Sequence, residues 1–296
     1  MTGHDRSHEH SDTVSGAVAV SGTALAYTTI GAGPTCLLMH GGLGLDHTLY
    51  RPAFDRLAHR LRLVYYDHRG NGRSGRPPVA SLTMEQLADD AEALAQHLDA
   101  GRVLVIGHSY GGFVAQELAL RHPDRVAGLV LVATTPGQLG AGETDEQGPP
   151  PPPGLAAALR STPTTNGEFA HLLTAMLPWY LHRLPPEAVE PLLRRSILDV
   201  RAWRRSMALL QTWSSVDRLH RIRVPTLLLA GRHDLFCSPA QTQRIARRIP
   251  DSRTVILEHS GHLPWLEEAE SFFTTIEAWL ARTILFDAPT PGVNRR

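Results

Sequence analysis

Val103-Leu104-Val105-Ile106-Gly107-His108-Ser109-Tyr110-Gly111 is the stretch whose reading decides the fold. Its first four residues are a short, wholly apolar, β-prone run, as expected for a strand buried on both faces. The residues from Phe113 to Leu120 have helix-forming composition. A serine between two glycines, where a strand turns sharply into a helix, fits G-x-S-x-G; the small flanking residues let the backbone strain and push the serine Oγ outward. Two glycines around a serine also occur in ordinary turns, so the reading depends on the strand before the motif and the helix after it.

Similar apolar runs lie on either side: Cys36–Met39, Leu61–Tyr66, Leu129–Val132, Thr226–Ala230 and Thr254–Leu257. Ahead of them, Ala17–Val20 and Ala24–Ile30 flank Ser21-Gly22 and predict a hairpin. Helical stretches fall between the runs. The clearest begins at Thr83, whose hydroxyl caps the first turn while Gln86 reaches back as in a capping box. Leu87, Ala91, Leu94 and Leu98 form its apolar face. Strands alternating with helices predict an α/β fold, a mostly parallel central sheet flanked by helices.

The alternation stops between residues 135 and 217, where no strand-like run occurs. This segment passes through the prolines Pro149 to Pro153, read as an extended connector, and then through the helical stretches Ala156–Arg160, Glu168–Leu177, Pro186–Leu198 and Ala202–Trp213. The expected organisation is a core of residues 16–134 and 218–285, with a helical cap inserted at 135–217. A disordered leader is expected at 1–15 and a loose tail at 286–296.

A serine hydroxyl is a weak nucleophile at neutral pH and needs a base within hydrogen-bond reach. His262, in His259-Ser260-Gly261-His262 just after the last strand run, would overhang the sheet's carboxyl edge, where Ser109 also points. His259 is its neighbouring rival. The base in turn needs a carboxylate to fix its tautomer. Asp234 supplies one, reached from the Thr226–Ala230 run through Gly231-Arg232-His233, although an Asp in such a loop also commonly makes an Asx turn. The chain order Ser109, Asp234, His262 is the Ser…Asp…His order of one known triad class. A tetrahedral intermediate needs preorganised N–H donors. Gly42, in the loop His40-Gly41-Gly42-Leu43-Gly44, and Tyr110, which follows the serine, are the expected pair.

Composition narrows the partners. The chain has 296 residues, 42% of them hydrophobic, enough for one substantial core with an added lobe. Its 29 Lys plus Arg balance 29 Asp plus Glu, so no basic surface drives nucleic-acid binding and a neutral small molecule fits better. Cys36 and Cys237 are the only cysteines and read as free thiols. With no apolar signal segment and no run near the roughly 18 residues of a membrane span, the expectation is a soluble cytoplasmic protein.

From about Ala17 to Ala281 the sequence resembles the α/β-hydrolase superfamily. Asp67-His68-Arg69-Gly70-Asn71-Gly72-Arg73-Ser74 is similar to the D-x-R-G-x-G-x-S loop of its esterase, lactonase, dehalogenase and aminopeptidase branches, where the loop supports the site and does no chemistry. The loop from His40 to Gly44 looks like the H-G-G-P-G of the proline iminopeptidase branch. Leu43, however, replaces its proline, and Gly-His-Ser-Tyr-Gly replaces its usual Gly-Gly-Ser-Trp-Gly. The resemblance implies acyl transfer to Ser109, with an ester or lactone as first choice of substrate, and calls for no cofactor and no metal.

The alternative is an aminopeptidase, which needs a cap carboxylate for the substrate ammonium; Glu168, Glu187 and Glu190 are the candidates. A third reading is a ligand-binding receptor that retains the triad. Trp179, Tyr180, Trp203 and Trp213 are the cap aromatics expected to line the pocket or to hold the cap together.

Overall fold

The computed structural model describes residues 13–137 and 152–283. Most of the leader, residues 149–151 of the proline run and the tail lie outside them.

Eight strands form one sheet in the order β1-β2-β4-β3-β5-β6-β7-β8. The hairpin is β1 (Val14–Val20) and β2 (Thr23–Ile30), antiparallel with Val20 opposite Thr23, so Ser21-Gly22 is its two-residue turn. The first strand starts at Val14, inside the expected leader, because its exposed outer residues lack the apolar signature while their backbone still pairs with β2. β2 runs antiparallel to β4 (Arg62–Tyr66). β3 (Thr35–Met39), β5 (Val103–His108), β6 (Val126–Val132), β7 (Thr226–Gly231) and β8 (Ser252–Leu257) complete the parallel part, each run read from the sequence falling on one strand.

Helices cover both faces. On one, α1 (Met84–His97) and α2 (Tyr110–Arg121) bury Leu87, Ala91, Leu94, Phe113 and Leu118 against Leu37, Val64 and Val105. On the other, Phe54 and Leu57 pack with Phe272, Phe273 and Trp279. Fully burying each large apolar side chain contributes roughly 1.5–3 kcal/mol. Thr83 caps α1 by accepting from Gln86 N–H at 3.1 Å, but Gln86 does not reach back. Its amide instead donates forward to Asp90 at 3.0 Å, because Asp90 is held in place by a buried bidentate pair with Arg69, at 2.5 and 2.6 Å. The capping box expected there is therefore only half formed.

Among the described residues between β6 and β7 lie four helices, α3 (Pro153–Leu159), α4 (Asn166–Tyr180), α5 (Pro186–Arg195) and α6 (Val200–Leu210). Only the last proline of the run departs from the expected extended connector. Pro152 is extended and Pro153 opens α3, a position where the missing N–H costs nothing. The sequence reading also misplaces the break before α6. Asp199 accepts from Arg201 and Ala202 N–H, both at 3.0 Å, and so starts α6 at Val200. After β7 come α7 (Pro239–Ala246), α8 (Pro264–Glu267) and α9 (Ala269–Thr283). Among the described residues no helix is long and apolar enough to cross a membrane. Cys36 and Cys237 are free and buried.

Candidate active site

β5 ends at His108, and α2 begins at Tyr110 with only Ser109 between them. Such a tight reversal forces Ser109 to φ 51° and ψ −117°, a conformation that L-residues adopt only when their surroundings hold them there. Here Ser109 N–H donates to Val132 at 2.9 Å, and its carbonyl accepts from Gly112 N–H at 2.9 Å and from the Thr134 hydroxyl at 2.8 Å. The flanking glycines are required by close approach. A Cβ on Gly111 would lie 2.0 Å from the Met39 carbonyl, and one on Gly107 would lie 2.6 Å from the Gly111 carbonyl.

Asp234 and His262 sit on the loops after β7 and β8, and both are buried. His262 Nδ1 lies 2.8 Å from Asp234 Oδ2. Since a carboxylate can only accept, Nδ1 carries a proton, and in the neutral ring Nε2 then keeps its lone pair. Asp234 Oδ1 accepts from Phe236 N–H at 2.8 Å and Cys237 N–H at 2.9 Å. The Asx-type turn considered as a rival role for Asp234 is thus formed as well, using the other oxygen. The two loops touch directly: a Cβ on Gly231 would lie 2.1 Å from the Gly261 carbonyl. His259 is exposed, and its N–H binds Glu268 at 2.8 Å.

The peptide of His262 is anchored from both sides. Its N–H donates to the Tyr180 carbonyl at 2.7 Å and its carbonyl accepts from His108 Nε2 at 3.0 Å. One oxygen of Glu267 accepts from the N–H groups of His182, Arg183 and Leu184 at 2.7, 2.6 and 3.2 Å. The other accepts from Gly261 N–H at 2.6 Å, so a single carboxylate ties the segment after α4 to the loop carrying His262.

Gly41 N–H is taken by the Tyr50 hydroxyl. No acceptor among the described residues takes Gly42 N–H, and Tyr110 N–H, the first of α2, has no acceptor inside its own helix.

Ser109, His262, Gly42 and Tyr110 line one cavity of about 120 Å³. Its other walls are almost all carbon: Leu43, Leu45, Leu49 and Phe113 from the core, Leu173, Met176, Leu177, Val189, Leu193 and Met207 from the inserted helices, and Phe236. Among the described residues no Asp, Glu, Lys or Arg lines it. Glu168 is exposed and accepts from Thr164 N–H at 2.7 Å; Glu190 pairs with Arg194 at 2.9 Å; Glu187 is exposed in the first turn of α5.

The four aromatics divide. Tyr180 lines the cavity, stacked on Phe236 with centroids 4.3 Å apart, and Trp203 lines it beside Phe169. Trp213 lies in the core against Phe113 at 5.2 Å, with Nε1 donating to Glu117 at 3.0 Å, and Trp179 packs over Gly154. Neither is among the cavity residues. Asp234, Cys237 and His262 place one ligand-type atom each within 4.8 Å of one another. Asp234 and His262 are already bonded to each other, and burial pushes the Cys237 thiol well above its ordinary pKa, which keeps it protonated.

The loop from Asp67 to Ser74 stays away from the cavity and braces it. Burial raises the Asp67 carboxyl, but hydrogen bonding and charge from His47, at 2.6 Å, outweigh this and hold its pKa below the usual carboxylate range. Arg69 turns inward to Asp90, and Ser74 Oγ donates back to the Asp67 carbonyl. Tyr50, Phe236, His108 and Glu267 escaped the sequence reading. Of these only His108 carried a signal, its place within the serine motif.

A profile of the family described as alpha/beta hydrolase fold matches residues 34–269. A proline iminopeptidase of Pestalotiopsis fici is 26% identical over 280 residues, covering 90% of this chain and 99% of its own. A pimeloyl-[acyl-carrier protein] methyl ester esterase of Nitrosomonas europaea is 28% identical over 258 residues, covering 84% and 97%. Among solved structures, an enol-lactonase from Burkholderia xenovorans superposes with a TM-score of 0.76 at 26% identity, covering 90% of this chain and all of its own.

Proposed function

The chain belongs to the alpha/beta hydrolase family, and from that premise we propose that it cleaves a carboxylic ester or lactone through an acyl-enzyme on Ser109. His262 Nε2 takes the Ser109 proton as Oγ attacks the carbonyl carbon, then delivers it to the departing alkoxide. Asp234 holds the imidazole in the required tautomer and stabilises the imidazolium. The N–H groups of Gly42 and Tyr110 receive the developing oxyanion. Water, deprotonated by the same histidine, releases the acid.

The observation that carries this reading is the 2.8 Å bond from His262 Nδ1 to Asp234, with the same histidine and Ser109 fronting one cavity. The uncharged wall favours a neutral acyl group over an N-terminal ammonium, since burying an unpaired charge is expensive. The esterase and lactonase relatives agree with that choice, whereas the iminopeptidase relative favours the aminopeptidase reading.

The test compares p-nitrophenyl esters of increasing chain length, lactones and aminoacyl-anilides with the purified protein. Turnover of esters or lactones well above the anilides is expected. A clear preference for prolyl-anilide would overturn the substrate assignment and leave the nucleophile standing.

A further inference from the structure

His108 lies between Gly107 and Ser109, yet acyl transfer gives it no step. Tyr50, at the end of the 3-10 turn His47–Tyr50, has none either. Both are almost fully buried, at 3% and 2% exposure. They are the middle links of a hydrogen-bond chain whose direction is set from its ends. Gly41 N–H can only donate, and it donates to the Tyr50 oxygen. The Tyr50 hydroxyl proton is thereby left for His108 Nδ1, 2.9 Å away. His108 must then carry its own proton on Nε2, which donates to the His262 carbonyl at 3.0 Å.

Only neutral His108 completes this chain, and the surroundings favour that form. Burial, and secondarily the neighbouring His262, push its pKa well below the ordinary imidazole value. Trp265 closes the chain off, its ring nearly perpendicular to that of His108 with centroids 4.6 Å apart. A Cβ on Gly41 would lie 2.5 Å from His108 Nδ1, so the glycine loop and the ring are already in contact.

We propose that Tyr50 and His108 are positioning residues that lock the Gly41-Gly42 loop and the His262 loop into one register around Ser109. Gly41 N–H, spent on Tyr50, fixes the turn that presents Gly42 N–H, while the same relay fixes the carbonyl of the base. This rests on the roles proposed for Ser109, His262 and Gly42.

Tyr50→Phe removes only the hydroxyl. It should lower kcat about 10–100-fold while KM stays within about twofold, and should weaken a trifluoromethyl ketone analogue of the tetrahedral intermediate by the same factor. His108→Gln keeps one donor and one acceptor and should retain more kcat than His108→Leu. If Tyr50→Phe does not fold, the Gln and Leu pair decides. Unchanged kcat in Tyr50→Phe, or equal losses in the Gln and Leu variants, would overturn the relay. Fluorophosphonate labelling of the wild-type protein separates the two readings: absence of label on Ser109 sinks the nucleophile assignment, and the relay with it, whereas a labelled wild type beside a fully active Tyr50→Phe sinks the relay alone.

Discussion

The loops at the carboxyl edge of the sheet and the helices inserted between β6 and β7 share one cavity but are built from different forces. In the loops the polar groups that hold the site's residues in place are paired: Ser109 N–H on Val132, Asp234 on His262 and on two backbone N–H groups, His262 between Tyr180 and His108. The helices present Leu173, Met176, Leu177, Val189 and Leu193 to the same space, almost all through apolar contact. Hydrogen bonds are directional and expensive to leave unmade in a buried setting, whereas apolar contact tolerates any shape that fills the volume. The difference teaches that the loops hold fixed directions while the helices mainly fill volume, and the two meet where the Tyr180 carbonyl of α4 takes the His262 N–H.

The sharpest break would come at the serine. Ser109→Ala should lower kcat by roughly 10³-fold or more and abolish fluorophosphonate labelling while leaving the fold intact. A labelled alanine variant would move the nucleophile elsewhere. Next in size is the brace beneath the loops. Asp90→Ala strands Arg69 as a buried, unpaired charge and should cost about 3–5 kcal/mol in chemical denaturation. A cost under about 1 kcal/mol would mean that the loop does not depend on the pair.

The aromatics sharpen the comparison most directly. Trp213→Ala should cost about 3–5 kcal/mol of stability with the ranking of acyl chain lengths preserved. Trp203→Ala should shift that ranking by about 1–3 kcal/mol in kcat/KM at a smaller cost in stability. Exchanged outcomes would assign specificity to the core tryptophan and stability to the cavity one.

A separate effect concerns acid. His40, His68 and His108 are buried, and burial is the main cause holding each pKa below the ordinary 6.5. In the unfolded chain they take up protons as pH falls through that value, while the native state takes them up only at lower pH. Stability should therefore decline as the pH falls from about 7 to 5. Denaturation midpoints that stay level over that range would refute the neutral assignment.

The sequence displayed the sheet edge far better than the inserted helices, for physical reasons. A strand buried on both faces must be apolar throughout, and the turn at Ser109 brings the Met39 carbonyl to 2.0 Å from where a Cβ on Gly111 would lie, so that position admits only glycine; both leave marks in the residue types. Tyr50 left none, because its partner His108 is 58 positions away and only the fold brings them together. The four aromatics were equally plausible cavity residues on composition alone. What separates them is helix rotation: Trp203 faces Phe169 and the cavity, while Trp213, beyond the end of α6, drops onto Phe113. The capping residue Gln86 was misread because its choice of partner depended on Asp90, itself committed to an arginine 21 positions away.

Glu267 has a consequence for how such a lid is exchanged in evolution or by design. One carboxylate gathers three N–H groups from the segment after α4 and one from the loop before His262, so these pieces form a single mechanical body. Swinging the inserted helices away at that end would break the three bonds from His182, Arg183 and Leu184 to Glu267 and the bond from His262 N–H to the Tyr180 carbonyl. A transplanted lid therefore needs its seat as well as its helices. Exchange cut after Leu184 keeps that seat native, whereas a graft carrying a foreign stretch over 180–184 stays aligned only if its backbone again offers those donors to Glu267.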